Sequence, residues 1–349
     1  MSTNSLSRQS SYELLRIICM LMIVALHIVK SHIEILGYSD WISWIVRSFC
    51  ICAVDVFVLI SGYFGIHFRL NRLVSLDLQT LFYSIASLLF LIIIGYHEIG
   101  VLDFHALIPI ITKRYWFVTC YAVLYLLSPF INIVFALLSK EQLKTILIIC
   151  FVLFYLWPTF NSLVLANQLI SDNGYGIVNF IYLYLLGRYI HEYGLFPSYS
   201  KFSFLITYIV SCSILALLQP IVSLVLGYEF KSLFAYNSLF VFISALGLFL
   251  FFERLSFSST IINRLANNCL AVYLIHQGPG MWEWATSFFH LGNFNGLKYI
   301  TVLIVFPVIL YLLSVVIDSV RIKLFSPFEE IVSNRFNILF VRFKAIFVS

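Results

Sequence analysis

Charge is what this chain has least of: Asp, Glu, Lys and Arg make up 11% of its 349 residues, against 62% hydrophobic. That shortage excludes a soluble domain of any size, because soluble domains carry roughly a quarter of their residues as charged side chains. Long polar loops are missing too, so the length is taken up by spans of roughly 20 apolar residues with short connections, and no external domain fits between them. The seven cysteines (Cys19, Cys50, Cys52, Cys120, Cys150, Cys212 and Cys269) are odd in number and all lie in apolar runs, and Cys50 with Cys52 lacks the partners of a zinc site. They read as small packing residues rather than a disulfide framework, and no metal is expected. No internal repeat is visible. No small-residue cleavage site follows the first apolar run, which reads as a retained signal anchor. In such a chain a net charge of +5 is not a nucleic-acid signal; it is judged by where the basic residues fall relative to a membrane.

What is present is a series of ten apolar windows: 12–35, 42–64, 74–96, 115–138, 143–160, 175–190, 204–226, 234–252, 268–289 and 299–320. They predict an all-α polytopic membrane protein of about ten transmembrane helices. The sixth window is short, and Gly278-Pro279-Gly280 interrupts the ninth, predicting a bent or broken helix. Residues 97–112, with Pro109 among them, read as an interfacial or re-entrant piece. Fourteen of the 21 Lys and Arg fall on the side of the N-terminus and five on the other, with Arg16 and Arg47 inside spans, so both termini are expected in the cytoplasm. The transmembrane domain is expected over 1–320. Residues 321–349 mix Phe, Ile and Leu with basic side chains and read as an amphipathic tail on the lipids of the cytoplasmic leaflet.

Against this background the first window stands out, because it carries Arg16 near its start and His27 in its interior, and a plain anchor has no reason for either. Eleven steps of ~100° return a helix to within ~20° of its starting direction, so the two side chains share a face, ~16 Å apart along the axis. The second window holds Asp55 in the run AVDVFVLISGYFG and is followed by Arg69-Leu70-Asn71-Arg72. Two guanidiniums three residues apart suit phosphate groups, and Arg16 on the same side extends that patch. Each has a plainer reading: Asp55 pairs with Arg47 or Arg16 to lower its insertion cost, and Arg69 and Arg72 are ordinary positive-inside residues on lipid phosphates. In the ninth window His276 follows Tyr273 by one turn and precedes the Gly-Pro-Gly break, with Glu283 beyond it. Lys113, Arg114, Tyr115 and Trp116 form either an aromatic belt or a basic, aromatic mouth able to stack on a sugar ring.

R-x10-H at Arg16 and His27, then Asp55-Val56-Phe57 with Ser61-Gly62-Tyr63, then R-x-x-R at Arg69 and Arg72, together resemble the acyltransferase 3 family of membrane-bound acyltransferases. KRYWFVTCYAVLYLLSPF from Lys113, LLGRY from Leu185 and NNCLAVYLIHQ from Asn267 are similar to its surface-polysaccharide O-acetyltransferase branch. The resemblance implies transfer of an acyl group, usually acetyl from acetyl-CoA, to a sugar hydroxyl of a glycan or lipid-linked sugar, by a multi-pass protein of the bacterial inner membrane. On that reading Arg69, Arg72 and Arg16 hold the nucleotide and phosphates of the acyl-CoA, whose arm lies along the first helix toward His27. His27 acts as general base or is transiently acylated, with Arg16 and Asp55 completing the catalytic set and Asp55 orienting the imidazole. His276, Tyr273, Arg114 and Trp116 face the acceptor. Some relatives fuse an extracytoplasmic hydrolase-like domain after the last span; any step needing one is expected to be done elsewhere or not at all. A secondary transporter or flippase of a polysaccharide-assembly pathway is the rival reading, since buried ionisable residues and a broken helix also describe transporters.

Overall fold

The computed structural model describes residues 9–36, 41–98, 100–165, 172–226 and 231–347; the polar leader before residue 9 and the last two residues of the predicted tail lie outside the described residues. Fourteen α-helices follow in chain order among them: α1 Ser10–Leu36, α2 Trp41–Cys50, α3 Ala53–Phe64, α4 Leu70–Ile93, α5 Trp116–Leu137, α6 Lys140–Phe151, α7 Trp157–Leu165, α8 Ile177–Tyr193, α9 Lys201–Leu226, α10 Leu239–Glu253, α11 Thr260–Ala266, α12 Cys269–His276, α13 Met281–Phe289 and α14 Gly296–Phe347. The fold is all-α and polytopic. Eight segments are long and apolar enough to cross a membrane, with α2 and α3 counted as one and α6 and α7 as another. The remaining two windows are the short sixth, which folds as the 17-residue α8, and the ninth, which breaks at Gly278-Pro279-Gly280 into α12 and α13. Residues Val101–Leu107 form a short 3₁₀ turn, and α14 runs unbroken through residue 320 into the basic tail.

The chain divides into two compact units. The first comprises Met1–Gly65, Ile133–Cys269 and His290–Val308. Its centre is α10, 78% of whose span is buried, packed against α9 and α3. α3 lies beside α8 in parallel, and glycine makes their approach possible. A Cβ on Gly62 would collide with the backbone carbonyl of Tyr184, and one on Gly187 with that of Leu59, so the two backbones touch where SGY meets LLGRY. The α6–α7 span contains a π turn, Val152–Leu156, with a legible cause. Pro158 has no N–H for the carbonyl of Phe154, the ladder slips, and Asn237 Nδ2 donates to that carbonyl at 3.0 Å instead.

The second unit comprises Ile66–Asn132, Leu270–Phe289 and Ile309–Ser349. Phe90 of α4 meets Trp284 of α13 edge to face, and Phe82 packs on Phe325 of α14. Gly278 leaves room for the Ser87 side chain, and Gly280, at φ +69°, makes the turn that ends the break. At the far end of α4, Asn132 Nδ2 donates to the carbonyl of Ile66, and Tyr125 donates to those of His67 and Arg69.

Candidate active site

α1 is one uninterrupted helix of 27 residues, so the shared face of Arg16 and His27 and their ~16 Å separation hold in the folded chain. Its start is anchored: Ser10 donates to Asn263 Oδ1 at 2.9 Å and accepts from the Ser259 amide at 2.7 Å, tying α1 to α11. The Tyr12 ring lies 5.0 Å from that of Tyr63 and 5.0 Å from that of Phe64, and Tyr63 in turn meets His191 of α8 at 4.7 Å. Tyr63 thus gathers the start of α1 and the ends of α3 and α8 at one end of this unit. Arg16, one turn past Tyr12, is 33% exposed and pairs with Glu13 at 3.2 Å, so part of its fork is occupied by a carboxylate the sequence reading did not assign to it. His27 is half-buried further along.

Asp55 is fully buried on α3. Its Oδ1 accepts from Asn179 Nδ2 on α8 at 3.2 Å, and that amide also donates to the Gly174 carbonyl. Asn179 Oδ1 accepts from the Tyr155 hydroxyl, which the π turn carries into position. Asp55 Oδ2 has no hydrogen-bond partner among the described residues. The partner recorded for Asp55 is therefore Asn179, a residue sequence reasoning passed over; the signal was a lone amide inside an otherwise apolar window.

The other candidates belong to the second unit. Arg69 precedes α4 and Arg72 lies in its first turn, both exposed at the amino end of a 24-residue helix, where the dipole and open amides already favour anions. The Arg69 backbone N–H donates to the Tyr125 hydroxyl at 2.9 Å, so the middle of α5 fixes the loop that presents them. His276 ends α12, buried, with Nδ1 donating to the Val272 carbonyl at 2.6 Å; a carbonyl only accepts, so Nε2 is the basic nitrogen of the neutral ring. Tyr273 and Trp282 meet its edges and faces at 5.9 Å each. Tyr115 reaches the same helix, donating to the Leu274 carbonyl at 3.1 Å, and Phe117 lies 5.9 Å from Tyr273. The structure thus brings the run holding Arg114 and Trp116 together with that holding Tyr273 and His276. Arg114 itself is exposed, Trp116 half-buried. Asp103, beside it in the 3₁₀ turn, is held below the usual carboxylate range by the Gly100 amide first, then by His97 and the charge of Arg114.

Two further buried polar groups serve packing. His32, five residues beyond His27, hydrogen-bonds through Nδ1 with the Gly292 carbonyl at 3.1 Å and stacks on Tyr299. In the second unit Arg321 bonds Asp318 at 2.6 Å and also Glu329, while Tyr83 donates to Asp318 at 2.8 Å. Among the described residues no group of His, Cys, Asp and Glu is arranged to hold a metal.

Comparison with known proteins adds one finding. The family model of the acyltransferase domain known as acyltransferase 3 matches residues 9–318. Nothing among curated proteins or solved structures matches the chain. The family match takes in α1 with its arginine and histidine, the Asp55 network, the R-x-x-R turn and the His276 helix, and on that extent the chain belongs to the acyltransferase 3 family and is a membrane acyltransferase.

Proposed function

We propose that this acyltransferase moves acetyl from acetyl-CoA to a sugar hydroxyl of a surface polysaccharide or its lipid-linked precursor, in the inner membrane of a bacterium with both termini in the cytoplasm. The observation that carries the reading is the intact α1, a single helical face running from Arg16 to His27 over ~16 Å, a length an extended pantetheine arm can follow. Arg69 and Arg72, at the amino end of α4, supply charge and forked donors for the phosphates of CoA, with Arg16 contributing on the first helix. His27 takes the proton of the sugar hydroxyl as its oxygen attacks the thioester carbonyl. The C–S bond breaks, the ester C–O bond forms, and the departing thiolate recovers the proton from the imidazolium. Asp55, fixed through Oδ1 by Asn179, steadies the imidazolium, while His276 and Tyr273 with Arg114 and Trp116 receive the acceptor.

The test is reconstitution of the full chain with acceptor glycan and radiolabelled acetyl-CoA, beside mass spectrometry of surface glycan from cells with and without the gene. Acetyl ester on the glycan is expected, falling by ~10²-fold or more in His27→Ala. Glycan translocation with no acetyl-CoA consumed favours a transporter or flippase, and full transfer by correctly inserted His27→Ala and Arg16→Ala overturns the mechanism.

A further inference from the structure

Arg188 of the LLGRY run lies in the last turns of α8, and nothing so far assigns it a task. It is half-buried, and its Nε is sealed from solvent with no hydrogen-bond partner among the described residues. It takes part in none of the ion pairs found among them either, although Glu192 lies one turn along the same helix. The contacts it does make are with an aromatic face and a stretch of bare backbone. The guanidinium carbon sits 5.3 Å above the Phe135 ring. Phe135 stacks on Tyr193, whose face carries the Lys140 ammonium at 5.4 Å, so one aromatic pair holds two cations. On another side is Gly65 at φ +72°, whose missing Cβ would stand 2.9 Å from Nη1; the glycine leaves the guanidinium a bare backbone wall. An arginine that merely obeyed the positive-inside tendency would keep its head in water, as the exposed Arg69 and Arg72 do.

We propose that Arg188 is the anchor of an anion site that takes a phosphoryl group, at the end of the first unit where Tyr63 gathers α1 and α8 and where Arg16 also stands. A guanidinium with no acceptor among the described residues, braced by one ring of an aromatic pair whose other ring carries a second cation, is complementary to a planar pair of phosphoryl oxygens. Two sources carry that group: the phosphates of the acyl-CoA donor or the headgroup of an anionic lipid. The donor source rests on the function proposed above; the phosphoryl chemistry does not.

The full chain is purified into nanodiscs of zwitterionic lipid and titrated with CoA by calorimetry; in parallel, retention of added phosphatidylglycerol is read by native mass spectrometry. Wild type, Arg188→Lys and Arg188→Gln are compared, with melting temperature as the folding check. If CoA fills the site, its dissociation constant rises about tenfold or more in Arg188→Gln and less in Arg188→Lys, which keeps the charge but loses the fork, and inorganic pyrophosphate competes in wild type only. If a lipid fills it, CoA affinity is unchanged while phosphatidylglycerol retention falls in both variants, which supports the site and moves its source. CoA binding and lipid retention both within about twofold of wild type in a folded variant overturn the proposal. Should Arg188→Gln fail to fold, Arg188→Lys alone decides by the same limits. Wild type that binds no CoA but loses lipid on Arg188 substitution sinks the donor reading of the protein and leaves the site standing.

Discussion

Two buried carboxylates invite comparison. Asp318 in the second unit is 1% exposed and sits in a closed network, with Arg321 shared between it and Glu329 and the Tyr83 hydroxyl added from α4. Asp55 in the first unit is equally buried, yet among the described residues only its Oδ1 is engaged, and the amide engaging it is itself held by Tyr155 and the Gly174 carbonyl. One carboxylate is neutralised in place and ties two helices together. The other is fixed in orientation with an oxygen left over. A closed charged network is what helix packing needs, whereas an oriented carboxylate with an open oxygen is what chemistry needs.

The largest effect expected from this contrast is on stability. Arg321→Ala leaves the buried Asp318, and with it the half-buried Glu329, without their counter-charge, at a cost of ~3–5 kcal/mol. Thermal unfolding in detergent is expected to show a strongly lowered midpoint, with lost acyl transfer following lost protein. A variant that melts like wild type but no longer transfers would make the closed network catalytic and end the contrast. Asp55→Asn works the other way. The substituted amide keeps an oxygen for Asn179 and the shape of the site, so the melting midpoint stays close to wild type while transfer falls by ~10²-fold, equivalent to ~2.7 kcal/mol of barrier. Unchanged turnover would return Asp55 to helix packing. Third in size is Gly62→Ala, which forces α3 away from the Tyr184 backbone and costs ~1–3 kcal/mol. Because the same contact sets the depth of Asp55 against Asn179, stability and transfer should decline together, and a loss of stability alone would uncouple the two.

How far the molecule could be read beforehand depended on whether a feature is local in the chain. Apolar length and a Gly-Pro-Gly interruption are local, so the spans, the short α8 and the broken α12–α13 pair were legible, as was the shared face of Arg16 and His27, which needs only one helical period. Partner choice is not local. His27 and His32 lie at neighbouring depths on one helix, and nothing in their sequence surroundings says that His32 stacks on Tyr299. Asn179 is a single amide in an apolar window until α8 lies beside α3. Some signals were present and unread: Pro158 inside the fifth window predicts a disturbed ladder, and Asp318 three residues before Arg321 predicts an ion pair on one helix face. Arg188 read as one more inside cation because burial of its Nε exists only once Gly65 and Phe135 are in place.

The smallest effect sharpens the contrast from outside the spans. Asp103 is a third carboxylate with its partners in place: the Gly100 amide donates to Oδ2 at 2.6 Å, and His97 Nε2 lies 2.9 Å from Oδ1. Being partly exposed, it is screened by solvent, and its contribution is correspondingly modest. The sign follows from the lowered value. Unfolding of the 3₁₀ turn returns the carboxyl to an ordinary value near ~3.9, so the open form binds the proton more readily than the folded one. The stabilisation is therefore complete above that value and is lost as pH falls toward the lower folded one. Hydrogen exchange of the amides in Val101–Leu107 should show protection constant near neutrality and eroding on the acid side, with the erosion removed in Asp103→Asn, whose turn is weaker but indifferent to acid. An acid limb that survives this substitution would mean that a different group sets the pH response of the connection between α4 and α5. The Asp318 and Asp55 pair would then stand as the sole test of the rule that a carboxylate with all its partners serves structure.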